Sequence, residues 1–163
     1  MSLESMIALA ANVAIALSFV AAIVFGVFQV RAVNRDRKER LTLDTLKTFQ
    51  TREFAEIIYF IREIKVPLTG ESFTTLSANE QILLIQASQQ MESLGMLVYE
   101  KLIDLDLVDK TIGSLVSLTW EKYRPMFTDM RTSLPDPYLG EYFQWLAEQV
   151  DKKIQEARQP YYL

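Results

Sequence analysis

A chain of 163 residues with 17 Lys and Arg against 21 Asp and Glu, net charge −4, is long enough for one domain with an appendage. It is too acidic to offer the sustained basic face that nucleic acid requires. The chain has neither histidine nor cysteine, which removes the commonest general base, Ser-His dyads, most transition-metal sites, disulfides and thiolate ligands, and agrees with a reducing compartment.

No charged residue separates Glu4 from Arg31. The uncharged run Ser5 to Val30, about 26 residues, is roughly 39 Å long as a helix, enough to cross an apolar layer about 30 Å thick. A cleavable signal peptide fits poorly, because MSLES carries an acid instead of a basic n-region and the apolar run is too long. A buried soluble helix of this length would normally carry charge. The run is therefore read as a retained transmembrane helix. Ser2 in place of glycine, and the lack of cysteine, leave that helix as the only anchor.

Within it a small residue recurs every fourth position: Ala10, Ala14, Ser18, Ala22 and Gly26. In lipid, helices associate where small side chains let backbones approach. A row stepping by four drifts about 40° per step around the helix, which suits a right-handed crossing. The alanine content of the span is the competing explanation. Asn12 and Gln29 add polar groups, of which Gln29 reaches the interface.

Arg31, Arg35, Arg37, Lys38 and Arg40 follow the span, while its N-terminal side has no Lys or Arg. The positive-inside rule places everything after Arg31 in the cytoplasm, and these five cations are read as topology determinants that meet anionic headgroups. The expected location is the inner membrane, single-pass, with the N-terminus outside.

Nothing breaks a helix from Arg31 to about Gln50, so the span is expected to continue as a basic stalk, with Leu43, Leu46 and Phe49 as an apolar face. Thr51 caps a helix bearing Phe54, Ile57, Ile58, Ile61 and Ile64. Pro67 ends it, and VPLTGESFTT reads as a loop. Ser77 with Glu80 is a capping box that starts a helix near Ala78, with Leu84, Ala87, Met91, Leu94 and Val98 as its inner face and Gly95 permitting a close crossing. Asp104 caps the next helix, which passes through Ile112, Leu115, Val116, Leu118 and Trp120 and is expected to kink near Arg124 because of Pro125. TSLPDPY reads as a turn, with Asp136 and Pro137 starting a last helix that buries Tyr142, Phe143, Leu146, Val150 and Ile154. The predicted class is all-α: one transmembrane helix and stalk, then a compact cytoplasmic bundle of about four to five helices. The divisions are residues 1–30 for tail and span, 31–50 for the stalk and 51–163 for the helical domain.

The segments MESLGMLVYEKLIDLDLV, WEKYRP and PDPYLGEYFQWL, with Arg131 between the last two, resemble a bacterial family of small single-span membrane proteins with a helical cytoplasmic domain, a domain of unknown function. Glu92, Gly95, Ile103, Asp104, Trp120, Pro125 and Arg131 carry the likeness, which covers roughly residues 5 to 150. The resemblance implies the anchoring and fold derived above and brings no activity, ligand or catalytic residue.

Chemistry is thinly represented. Glu53 and Glu56 lack the imidazole half of a helical di-iron pattern and read as a solvated face near a helix N-terminus. Asp104, Asp106 and Asp109 raise calcium, but IDLDLVDK lacks the glycine and terminal glutamate of an EF-hand, so they read as a cap and first-turn acids. Five glycines form no phosphate loop. Glu92, Arg124 and Arg131 are candidates for structural ion pairs. Tyr138, Tyr142, Phe143 and Trp145 read as core, and the tail Tyr161, Tyr162, Leu163 as a docking segment for its own domain or another chain.

The expected function is a non-enzymatic membrane-anchored module for interaction or assembly, either a homo-oligomer or an accessory subunit of a larger membrane complex. Its partners would be lipid and a protein, or itself, through the span and stalk. No cofactor, catalytic residue or metal is expected. The rival is a membrane-tethered enzyme or ligand receptor using carboxylates such as Glu92 or Asp104 in a helical pocket. A pore is disfavoured because Asn12 is the single polar group deep in the span.

Overall fold

The computed structural model describes residues 2–64 and 68–157, and these are helical with no strand among them. Six helices follow in order: α1 (Leu3–Lys47), continued by a 3-10 turn at Thr48–Gln50, α2 (Arg52–Glu63), α3 (Gly70–Thr75), α4 (Ala78–Tyr99), α5 (Leu105–Ser133) and α6 (Glu141–Ala157). The chain separates into two compact units, one ending at Glu39 and one beginning at Arg40.

Local chemistry sets most helix starts. The Thr51 hydroxyl accepts from the Phe54 N–H at 3.2 Å. Ser77 and Glu80 exchange the bonds of a capping box, and Asp104 accepts from the amides of Asp106 and Leu107. These side-chain oxygens satisfy amides that have no partner inside the helix. Two elements differ from expectation. The segment read as a loop contains α3, whose box pairs Thr69 with Ser72. The last helix begins at Glu141 instead of Pro137, because Asp136 Oδ1 accepts from Tyr138 N in a turn and Gly140 then takes φ +73. α5 continues as one helix through Pro125, with Tyr123, Met126 and Phe127 buried on the turns around it. Pro67, expected to end α2, lies outside the described residues, as does the tail from Arg158 to Leu163.

The core of the second unit forms where α6 packs against α4 and α5. The inner face of α4, Leu84, Ala87, Met91, Leu94 and Val98, is buried as its periodicity predicts. It meets Val116, Trp120, Tyr123 and Phe127 of α5 and Phe143, Leu146, Ala147 and Val150 of α6 in one cluster. Tyr123 is fully enclosed, and its hydroxyl donates to the Leu84 carbonyl at 3.0 Å. Burial pushes that phenol far above its ordinary range, so it stays protonated. Gly95 is where α4 and α6 cross: a Cβ there would lie 2.2 Å from the Tyr142 carbonyl oxygen.

The end of α1 belongs to this core. Leu46 and Phe49 are buried, but Leu43 is 46% exposed and Thr42 takes the inward position instead. The Thr42 hydroxyl accepts from Asp104 N at 3.0 Å, tying the end of α1 to the start of α5. The segment before α3 is tied to α5 in the same way. Leu68 N donates to the Lys122 carbonyl at 2.9 Å, Lys122 Nζ donates to the Ile64 carbonyl, and Asp129 accepts from Gly70 N.

Candidate functional site

Every described residue from Ser2 to Arg37 is exposed. The most apolar 18-residue window of α1 has mean hydropathy 2.5 and buries nothing within the molecule. A soluble core helix of that composition would hide its apolar side chains. Here Leu9, Leu17, Phe19, Phe25 and Phe28 are each more than half exposed. α1 is thus one helix long and apolar enough to cross a membrane.

Ala10, Ala14, Ser18, Ala22 and Gly26 lie on this exposed helix. The Ser18 hydroxyl donates to the Ala14 carbonyl at 2.8 Å, so the one polar member of the row is satisfied within its own helix and costs little in an apolar medium. Nothing comes within 4 Å of a Cβ placed at Gly26.

Arg31, Arg35, Arg37 and Arg40 are exposed, while Lys38 is half-buried. Arg40 also lines a groove of about 460 Å³ in the second unit, together with Leu43, Leu46, Lys47, Leu107 and Thr111. Lys47 is already paired with Asp44 at 2.8 Å, an exposed contact that holds the Asp44 carboxyl below its ordinary range.

Glu92, Arg124 and Arg131 do not pair with one another. Glu92 reaches from α4 to the start of α6, accepting from Phe143 N at 2.8 Å and Tyr142 N at 3.3 Å. The reason lies at Gly140, directly before α6. A Cβ there would sit 2.8 Å from the Phe127 ring, so this position takes a glycine that has no side chain to cap with. Glu92 supplies the missing oxygen from another helix, where its charge also favours the positive end of α6. Arg131 serves the same corner: Nε donates to the Leu139 carbonyl at 2.8 Å and Nη1 to Gln144 Oε1 at 2.7 Å, while Nη2 is buried without a partner. Arg124 is exposed. Beside this corner lies a groove of about 360 Å³ lined by Ser88, Gln89, Glu92, Ser93, Phe127 and Leu139.

Of the other acids, Asp104 is a cap, Asp106 pairs with Lys153, and Asp109 packs beside Gly113 with its Oδ1 buried and without a hydrogen-bond partner. Glu56 pairs with Arg52 at 2.8 Å. Among the described residues no three Asp or Glu side chains converge as a metal site would require. Of the aromatics read as core, Phe143 is buried, but Tyr138 is 68% exposed because it sits in the turn before α6. Tyr142 and Trp145 are half-buried and pack edge-on around Tyr99, at 5.4 and 5.2 Å. Tyr161, Tyr162 and Leu163 lie outside the described residues.

Residues 16–150 match the model of a family described as a domain of unknown function, DUF4760, and the chain belongs to that family. No curated protein and no solved structure matches it.

Proposed function

We propose that this protein is a single-pass membrane protein of the inner membrane, with its N-terminus outside and its helical domain in the cytoplasm, working as a non-enzymatic interaction and assembly module. It acts as a homo-oligomer or as an accessory subunit of a larger membrane complex. The observation that carries this reading is the segment of α1 from Ser5 to Val30, which is charge-free and wholly exposed, a surface that water does not tolerate and lipid does. The five cations from Arg31 to Arg40 support the orientation. The non-enzymatic part is supported by how the acids are used: Glu92, Asp104 and Asp106, on which a catalytic or ligand-binding pocket would rest, are held by helix caps and a lysine. The row from Ala10 to Gly26 offers lipid-embedded partners a surface on which backbones approach closely.

The test is the mass of the intact particle extracted into lipid nanodiscs, for the native chain and for Ala22→Ile with Gly26→Ile. A multimer or hetero-complex that dissociates on substitution supports the reading and makes the row its contact surface. A native chain that is monomeric and carries no other protein overturns it.

A further inference from the structure

Aromatic rings and carboxylates gather at one end of the second unit. Tyr99, the last residue of α4, is 51% exposed and packs edge-on with Tyr142 and Trp145 of α6, at 5.4 and 5.2 Å. Leu102, three residues further on, is 48% exposed. Glu100 and Glu141 are exposed, and among the described residues neither carboxylate has an ion pair or a side-chain hydrogen bond. Burial first, and then the charges of Glu141 and Glu100, hold the Tyr142 phenol above its ordinary range, so both acids set a negative field at the rings. Lys101, at φ +60 between Glu100 and Leu102, pairs with neither acid. Exposed rings edged with unpaired carboxylates select a cation: a planar guanidinium stacks on the ring while the carboxylates accept from its N–H groups.

The same end of the unit carries the complementary surface. Asp104 N donates to Thr42 Oγ1 at 3.0 Å, so the turn from Tyr99 to Asp104 lies where α1 joins the second unit. On that stretch of α1, Thr42 and Leu46 are buried, and a helix of about 3.6 residues per turn puts Arg40 nearly opposite Thr42. Arg40 is exposed, and among the described residues its guanidinium has no ion pair. Leu41 and Leu43 beside it are 39% and 46% exposed. One chain thus shows a cation among exposed leucines and, on other helices at the same end, aromatic rings edged with acid.

We propose that Arg40, with Leu41 and Leu43, docks on the Tyr99, Tyr142 and Trp145 surface of a second copy of this chain, its guanidinium on the rings and its N–H groups toward Glu100 and Glu141. Charge complementarity picks out this occupant, since each surface supplies what the other lacks. Copies whose spans share one bilayer also share one orientation, so two surfaces at the same end of the unit face each other in neighbours standing side by side. Donor and acceptor surfaces differ, so the contact is heterologous, and an axis along the membrane normal closes such contacts into a ring. Of the five cations after the span, Arg40 lies furthest from it, which leaves the others to the headgroups. This inference rests on the assembly reading above and adds the surfaces by which the copies meet.

The chain has no cysteine, so cross-links report placed cysteines alone. Two differently tagged full-length chains, one with Leu41→Cys and one with Leu102→Cys, are reconstituted together in lipid nanodiscs loaded with several copies. Both positions adjoin the contact and leave its charges in place. The mixed disulfide should form at least about tenfold faster than one between Leu102→Cys and Tyr59→Cys, an exposed site on α2, since bridging needs Cα atoms within about 7 Å. Arg40→Glu in both chains, and separately Glu100→Arg with Glu141→Arg, should each slow the mixed disulfide at least about tenfold. All three reversals together should restore it, which a folding defect would not allow. A mixed disulfide no faster than the Tyr59 control overturns the contact, and so does a fast one that the reversals leave unchanged. An oligomer that stays intact under Arg40→Glu, or a complex with another protein only, sinks this inference and leaves the assembly reading standing. A native chain that is monomeric and carries no other protein overturns both.

Discussion

At the scale of single residues, the side chains that chemistry would most want are committed to holding helix ends. Glu92 carries the largest commitment, since it caps a helix whose own cap residue is Gly140. Glu92→Ala should lower stability by about 2 kcal/mol by stranding two amides, whereas Glu92→Gln, which keeps an acceptor but loses the charge, should cost about half that. Urea titration of the full chain in detergent, followed by tryptophan fluorescence, measures both, and equal losses would show that charge and not acceptance matters. Glu80 gives a pH signature. The Ser77 hydroxyl and amide hold its carboxyl below the ordinary 4.5, so the folded state favours the ionised form. A depressed folded pKa stabilises above the unfolded value, and that contribution disappears as pH falls through the folded pKa. Ser77→Ala should therefore flatten the loss of stability below pH 4.5 relative to the native chain, as acid titration of circular dichroism would record.

Elements differ in how readily their residues announce them. The boxes at Ser77 and Asp104 and the inner face of α4 depend on neighbours within one or two turns, so spacing alone displays them. The corner before α6 depends on residues far apart: the bond from Phe143 to Glu92 spans 51 positions and that from Asp104 to Thr42 spans 62. Neither leaves a local pattern, which is why Glu92 and Arg131 read as partners of each other and Leu43, not Thr42, as the inward residue. α3 was hidden for another reason: Thr69 and Ser72 form its box with a serine where Glu or Gln is the usual signal. The Asp136-Pro137 start is a real signal for a turn, and Gly140 at positive φ delays the helix beyond it. Gly95 was legible as a close crossing, and the structure states how close. A Cβ at that position meets backbone, not a movable side chain, so Gly95→Ala must push α4 and α6 apart. Its expected cost is about 3 kcal/mol, and Gly26→Ala, at a glycine with open space around it, should leave unfolding of the second unit unchanged.

At the scale of the whole molecule, the composition divides into a segment without charge, Ser5 to Val30, and a remainder from Arg31 onward that holds all 17 basic residues and every acid but Glu4. On the proposed membrane reading, orientation in the bilayer becomes a matter of few charges. Short flanks decide topology through Lys and Arg, with acids contributing little, so the proposed orientation rests on Arg31, Arg35, Arg37, Lys38 and Arg40. Reversing that asymmetry should reverse the protein. With the five cations changed to glutamine and Ser2 and Ser5 changed to lysine, a single cysteine at exposed Glu148 should become reactive to a membrane-impermeant maleimide in intact cells, whereas in the native background it should react only after the membrane is opened. The same cysteine reacting in intact cells in both backgrounds would place the helical domain outside regardless of the cations. Protection in both would show that a folded domain of this size is retained inside by something stronger than flanking charge.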